Sequence, residues 1–578
     1  MRVLTPTLLL LLASCAAQDD APQSAHITLS IIGTNDVHGA LLPKERHGGL
    51  ASLSGYVAAL RAARAEDGGA VLLIDAGDMW QGSLESNLVE GKTVVEIYNA
   101  LGYTAATIGN HEFDFGPVGE LATPASAADD PRGAMRQRII EAQFPVLSAN
   151  IVDTATGKLI AWENVSPSVM IDVAGIKVGI IGLVTANALK VTIAANTAGL
   201  EIAPLADAIV REATSLREQG AEIVIVTAHA GSRCTEFDNP LDLASCDLNG
   251  EIFQVATALP ENLVDHIVAG HAHQGLAHVV NGIAITSAYS NTYAFGRVDF
   301  TIDSATGQVV ERKIYPPQVN CPAIDRTSNE CAWHETDSAL VTAATYEGRP
   351  IEPMASVEAI VAGAKVYAAA IKAELLGVTL TTPIGLDGNP ESPLANLFTD
   401  AELAGADADI AIHNVSGGIR AILPAGELTF GKVFEVFPFD NRVAIVEVSG
   451  AGLRRIIAVE AMKQDQRAGF SGMRVFIGCS NGVPQVDMVL NNGHTIADDD
   501  PIRIVSNDFL VTLGDGVLTP AMPPGGFDYV DDLRLTRDLL VEWFRQRGGS
   551  LSAEDFNTAA APRWNFSESF VAQCQHGI

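Results

Sequence analysis

Five apolar runs in the first half of the chain each end in an Asp, Asn or His set among small residues. Ile27–Gly33 runs into Asn35-Asp36-Val37-His38, and Val71–Ile74 into Asp75-Ala76-Gly77-Asp78. Thr107-Ile108-Gly109 leads to Asn110-His111-Glu112-Phe113-Asp114, the run Glu222–Thr227 to Ala228-His229-Ala230-Gly231, and His266–Ala269 to Gly270-His271-Ala272-His273. Segments with apolar residues at helical spacing separate these runs. The alternation predicts an α/β domain with a sheet covered by helices, from about residue 26 to 335.

The pattern then changes. Residues 301–350, with Pro316, Pro317, Pro322 and two Cys, read as irregular, and residues 121–132 as a surface loop. An Ala-rich stretch with apolar residues at helical spacing predicts a linking helix over 353–376. Beyond it, residues 377–578 carry their own strand-like runs (Ile410–Ile412, Arg442–Val448, Ile502–Ser506) and Gly-rich turns, and predict a second α/β domain.

The first residues read as an address. Arg2, the apolar run Leu8–Leu12 and Ala13-Ser14-Cys15 have the order of a secretory signal, and the run is too short to span a membrane. Leu12-Ala13-Ser14-Cys15 resembles the bacterial lipobox, in which the Cys is lipidated, so residues 1–15 are expected to be a lipoprotein signal peptide with Cys15 as the anchor. An ordinary cleavage site is the alternative. The six remaining cysteines, Cys234, Cys246, Cys321, Cys331, Cys479 and Cys574, are an even set without CxxC spacing, which suits disulfides in an oxidising compartment. Fifteen connectivities are possible; proximity favours Cys234–Cys246 and Cys321–Cys331, leaving Cys479–Cys574. An exported protein of the periplasm or outer membrane is expected. A net charge of −33 repels polyanions, so a dedicated nucleic-acid binder is not expected.

The polar residues at the run ends suit metal ions. Asp36 and His38 are two apart, so in an extended segment they point the same way. Asp36, His38, Asp78, Asn110, His229, His271 and His273 offer mixed nitrogen and oxygen ligands, which suit zinc, manganese, cobalt or iron. Seven are too many for one tetrahedral ion and right for two that share a bridging carboxylate. Taken singly, each motif has a plainer reading: Asp-x-His as a loop, Gly-Asp as a turn, Asn-His-Glu as a helix cap, His271 and His273 as half of a structural zinc site.

Their joint order, Asp-x-His, Gly-Asp, Gly-Asn-His-Glu, His and Gly-His-x-His, resembles the calcineurin-like metallophosphoesterases. The longer strings Gly33-Thr34-Asn35-Asp36-Val37-His38-Gly39 and Gly109-Asn110-His111-Glu112-Phe113-Asp114 are similar to bacterial periplasmic 5′-nucleotidases and UDP-sugar hydrolases. The resemblance implies a four-layer αββα metallophosphoesterase domain, the linking helix, and a C-terminal substrate-binding domain. It implies that Asp36, His38 and His273 hold a first divalent ion (Zn, Mn or Co) and Asn110, His229 and His271 a second, with Asp78 bridging. His111, held protonated by Asp114, would then reach the phosphate, and a water made acidic by the metals would attack it.

The same resemblance implies a nucleotide as substrate. Phe439 and Phe509 would sandwich the base, Asn441 bond its edge, Asp515 the ribose, and Arg420 a phosphate or carboxylate. Core phenylalanines and Gly turns are the plainer reading. Three departures from the family bear on substrate choice: residues 384–392 have no basic residue, Val415 stands where some relatives have Asn, and Leu513 replaces a Gly. Nucleotide hydrolysis is the expected function. The alternatives are a broader phosphomonoesterase or 2′,3′-cyclic-nucleotide phosphodiesterase, and a non-catalytic nucleotide-binding lipoprotein.

Overall fold

The burial of alternate residues in the first strand shows how this chain layers itself. In His26–Thr34 the side chains of Leu29 and Ile31 enter one apolar cluster and that of Ile32 enters another. A strand that is apolar on both faces must be covered on both. The structure is a computed structural model. It describes residues 26–574 apart from 45, 47, 120, 329, 334–338, 388–390, 465 and 558–561. The expected signal peptide and Cys15 lie outside the described residues.

Two sheets face each other across the cluster that contains Ile31, Ile74, Val178, Ile225 and Phe300. The first has seven strands in the order Val309–Val319, Ala294–Asp303, His26–Thr34, Ala70–Asp75, Ala105–Thr107, Val146–Leu147, Val165–Ser166. The second has six: Gly275–Val280, Ile283–Ala288, His266–Ala269, Ile223–His229, Ile176–Val184, Ser168–Val173. Helices Gly49–Asp67 and Lys92–Leu101 cover the outer face of the first sheet, and Leu205–Glu218 and Glu251–Ala258 that of the second. These are the four layers αββα. The sheets approach closely near the strand ends: a Cβ at Gly33 would lie 2.6 Å from Val268 Cγ1, so only glycine fits there.

One expectation needs correction. Residues 309–319 are not irregular but an eleven-residue strand. It is the edge of the seven-stranded sheet, and Pro316 and Pro317 fall where its register with Ala294–Asp303 shifts between Phe295 and Arg297. Proline costs no ladder hydrogen bond at an edge bulge. The linking helix is also shorter than expected, Ala355–Lys372, because Leu375 and Leu376 already belong to the strand Leu375–Leu380. Its Val357, Val361 and Ala364 pack into the core of the first domain.

The second domain is built on a five-stranded sheet ordered Gly469–Ser471, Ile410–His413, Pro501–Asn507, Arg442–Ser449, Tyr529–Leu535. Disulfides join Cys234 to Cys246, Cys321 to Cys331 and Cys479 to Cys574. Among the described residues no helix is long and apolar enough to cross a membrane.

Candidate metal centre and substrate cavity

All seven candidate ligands meet at the strand ends between the two sheets. Ligand atoms of Asp36, His38, Asp78 and His273 lie within 4.8 Å of one another, as do those of Asp78, His229 and His271, so Asp78 is common to both groups. Asn110 Oδ1 is 3.0 Å from His229 Nε2. His38 Nε2 and His273 Nε2 are 3.0 Å apart, and His273 Nε2 is 3.4 Å from Asp36 Oδ1. Five of the ligands, Asp36, His38, Asp78, His271 and His273, have positive φ, between 48° and 71°. The left-handed conformation costs a side-chain-bearing residue about 1–2 kcal/mol. Here it turns the chain sharply just past each strand.

The residues present fit two divalent ions. His38 Nδ1 donates to the Gln81 carbonyl at 2.9 Å and His229 Nδ1 to the Ala76 carbonyl at 2.7 Å, so in each ring Nε2 is the atom that faces the site. Burial opposes a charge on His229, but Asp78 beside it raises its pKa to about 10, and a cation would displace that proton. Asn110 Nδ2 donates to the Val191 carbonyl at 3.0 Å, which turns its Oδ1 toward His229. Burial and the nearby His273 push His38 down to about 3, and burial and His229 push His271 down to about 4, so both rings are neutral at pH 7.

Several supports were not visible in the sequence. Glu112 is fully buried and accepts the backbone N–H of Asp78, Met79 and Gly109 at 2.6–2.8 Å, tying two ligand loops together. Asn35 donates to Asp36 Oδ2 at 2.6 Å. Asp75 accepts from Thr34 and Tyr98, yet burial pushes its carboxyl up to about 7. Each motif showed a polar residue in place; Asn35 and Glu112 stand within the motifs themselves, but Glu112 reaches Asp78 and Met79 across 34 and 33 residues, which no motif announced.

His111 opens a 3-10 turn, His111–Asp114, and this spacing brings its Nδ1 to 2.6 Å from Asp114 Oδ2. Asp114 Oδ1 accepts from Thr192 Oγ1 at 2.8 Å, a third member that no motif announced. Burial opposes a charge on His111, but the Asp114 and Asp78 carboxylates outweigh it and raise its pKa above the ordinary value.

A cavity of about 430 Å³ opens between the domains above these groups. His111, Asp114, Thr192, Asp78 and His271 line one wall; Arg420, Phe439, Asn441, Phe509 and Asp515 line the other. The Arg420 guanidinium lies 5.1 Å from the Phe439 ring centroid. Among the described residues Arg420 is the one Lys or Arg in that lining. Asp515 accepts from Asn414, so Asn414, one position before Val415, still reaches the site. Leu513 keeps the left-handed backbone (φ 77°) despite replacing glycine, and the next residue, Gly514, packs under the Phe509 ring.

Comparison with known proteins follows the same division. Residues 29–275 match the calcineurin-like phosphoesterase model and residues 376–522 the 5′-nucleotidase C-terminal domain model. Among curated proteins, the chain is 27% identical to cell wall protein Lmo0130 of Listeria monocytogenes over 87% of its length, and 28% identical to endonuclease YhcR of Bacillus subtilis over 85%. It spans 64% and 38% of those two proteins. It is 25% identical to the 5′-nucleotidase of Vibrio cholerae, covering 89% of this chain and 90% of that one. The crystal structure of a 5′-nucleotidase precursor from Thermus thermophilus shares the fold, with TM-score 0.67 and 22% identity over 94% of this chain and all of that one.

Proposed function

Since the chain belongs to the 5′-nucleotidase family of metal-dependent phosphoester hydrolases, we propose that it hydrolyses nucleotide phosphate esters, outside the cytoplasm, with two divalent metal ions. The observation that carries this reading is one cavity that joins the seven convergent ligands and the His111–Asp114 pair to two phenylalanines of the other domain. Asp36, His38 and His273 would hold one ion, Asn110, His229 and His271 the other, and Asp78 both. Two cations supply the charge that neutralises phosphoryl oxygens and acidifies a water.

The protein's own groups do the rest. Phe439 and Phe509 hold the base by stacking, Asn441 meets its edge, and Asp515 with Asn414 faces the ribose. Arg420 offers its guanidinium to an anionic oxygen. His111, oriented by Asp114, donates a proton or a charged hydrogen bond to the phosphoryl group as negative charge builds on it. Cys15 would carry a lipid anchor, and the three disulfides support an oxidising compartment.

A second reading, a broader phosphomonoesterase or 2′,3′-cyclic-nucleotide phosphodiesterase, is favoured by one observation: Arg420 alone supplies a fixed cation to the cavity lining among the described residues. A substrate panel decides. Purified protein loaded with Mn or Zn should cleave nucleoside monophosphates, nucleoside diphosphates or sugar nucleotides with higher kcat/KM than p-nitrophenyl phosphate. Equal or lower kcat/KM on every nucleotide would overturn the nucleotidase reading and leave the broader one.

A further inference from the structure

The base-binding wall contains an amide whose orientation is imposed by a neighbour. Asn441 borders the cavity and is 8% exposed. Its Nδ2 donates to Asp508 Oδ1 at 2.9 Å. An ionised carboxylate only accepts, so the NH2 group must face Asp508 and the amide carbonyl oxygen must face away from it.

Both partners are held in place. Asp508 begins the helix Asp508–Val511, whose cap residue Asn507 accepts the Leu510 N–H at 2.9 Å. The backbone carbonyl of Asn441 accepts from the Thr536 backbone N–H at 2.8 Å. Arg537 donates to the Phe439 carbonyl at 2.9 Å and pairs with Asp440, which fixes the loop that carries both Phe439 and Asn441. The loop that carries Asn441 is fixed at its backbone, and its amide is tied to Asp508.

We infer that Asp508 is a positioning residue that makes Asn441 present a hydrogen-bond acceptor, and not a donor, to the base between Phe439 and Phe509. The protein then selects bases that offer an N–H at that edge, such as the 6-amino group of adenine or N3–H of uracil. This rests on the nucleotide reading above. A base without such a donor leaves a partly buried acceptor unpaired, which costs roughly ten- to a hundredfold in kcat/KM.

The test compares AMP with purine riboside 5′-monophosphate, and UMP with 3-methyl-UMP. At least one donor-bearing member should be favoured over its partner by tenfold or more in the unaltered protein. In Asp508→Asn the new amide can present its own NH2, Asn441 can turn over, and that ratio should fall toward one. Bound metal and p-nitrophenyl phosphate turnover report whether the variant has folded; if it has not, the ratio in the unaltered protein still decides. Equal kcat/KM within both pairs, or a ratio unchanged in a folded Asp508→Asn, would overturn the inference while the nucleotidase reading stands. If the unaltered protein turns over p-nitrophenyl phosphate but none of the four nucleotides, both fall together.

Discussion

The ring of His111 in the first domain stacks on the ring of Phe439 in the second, with centroids 5.9 Å apart and planes 24° from parallel. The side chain assigned to the phosphate therefore touches the side chain assigned to the base. Polar contacts that flank them include Gln81 Nε2 and Asn87 Nδ2 to the Pro438 carbonyl at 2.9 and 3.3 Å, Lys372 to Glu85 at 2.7 Å and the exposed pair Lys44–Glu435 at 2.9 Å.

His111→Ala should lower kcat by roughly 10²–10⁴ on nucleotides and on p-nitrophenyl phosphate, the range for a lost acid–base group. Phe509→Ala should mainly raise KM for nucleotides, because stacking persists throughout turnover. Steady-state kinetics on both substrates checks the contrast. An equal loss on both in Phe509→Ala would make the aromatic pair core and not clamp.

Asp78 belongs to both ligand groups, and its Oδ1 also accepts the His111 N–H at 2.8 Å. Asp78→Ala should release or scramble both ions and abolish turnover. Elemental analysis is the readout: about two ions retained with near-normal activity would refute the bridging role.

Thr192→Val removes the hydroxyl that donates to Asp114 Oδ1 and keeps the shape. A hydrogen bond to a charged group contributes about 1.5–3 kcal/mol. The expected loss in kcat is about ten- to a hundredfold, with metal content unchanged. An unaltered kcat would show that Asp114 holds His111 without help.

Burial pushes the Asp508 carboxyl up from 3.8 to about 6. The folded protein then binds this proton more tightly than the unfolded chain, so the group costs stability above pH about 6. Below pH about 4 both states are protonated and the cost is gone. Asp508 is half-buried beside the cavity, so solvent screens part of the effect. Asp508→Asn should raise the unfolding free energy by on the order of 1–2 kcal/mol at pH 7.5 and by nothing at pH 3.5. Denaturant melts at the two pH values measure it; a gain of the same size at both would rule out titration of Asp508.

Cys479 and Cys574 are 95 residues apart and join the strand Met473–Ser480 to the helix Glu568–Gln573. Replacing both with Ser frees a long loop in the unfolded chain and should cost about 3–5 kcal/mol. Calorimetry should show an earlier transition for the second domain, with the metal content of the first unchanged.

Local pattern was enough for most of the elements and for the placing of the candidate ligands at strand ends. The run Ile27–Gly33 is apolar throughout because it is covered on both faces, and the strand there is His26–Thr34. The candidate ligands were legible for a related reason: a strand end fixes where Asp36, Asp78 or His271 sits, among small residues that would leave room for an ion. Residues 309–319 were misread because proline usually stops a strand, and nothing local says that a strand will be an edge.

The amino-acid sequence by itself determined most of the strands of the first domain, which side chains stand at their ends and which cysteines are near enough in the chain to pair, since these depend on neighbours a few residues away. Only the tertiary structure decided the directions of those side chains. Thr192 reaches Asp114 from 78 residues away, the Ala76 carbonyl orients His229 across 153, and Asp508 turns the Asn441 amide across 67. A hydrogen bond across such separations exists only once the elements of each domain have packed, and periodicity carries no trace of it.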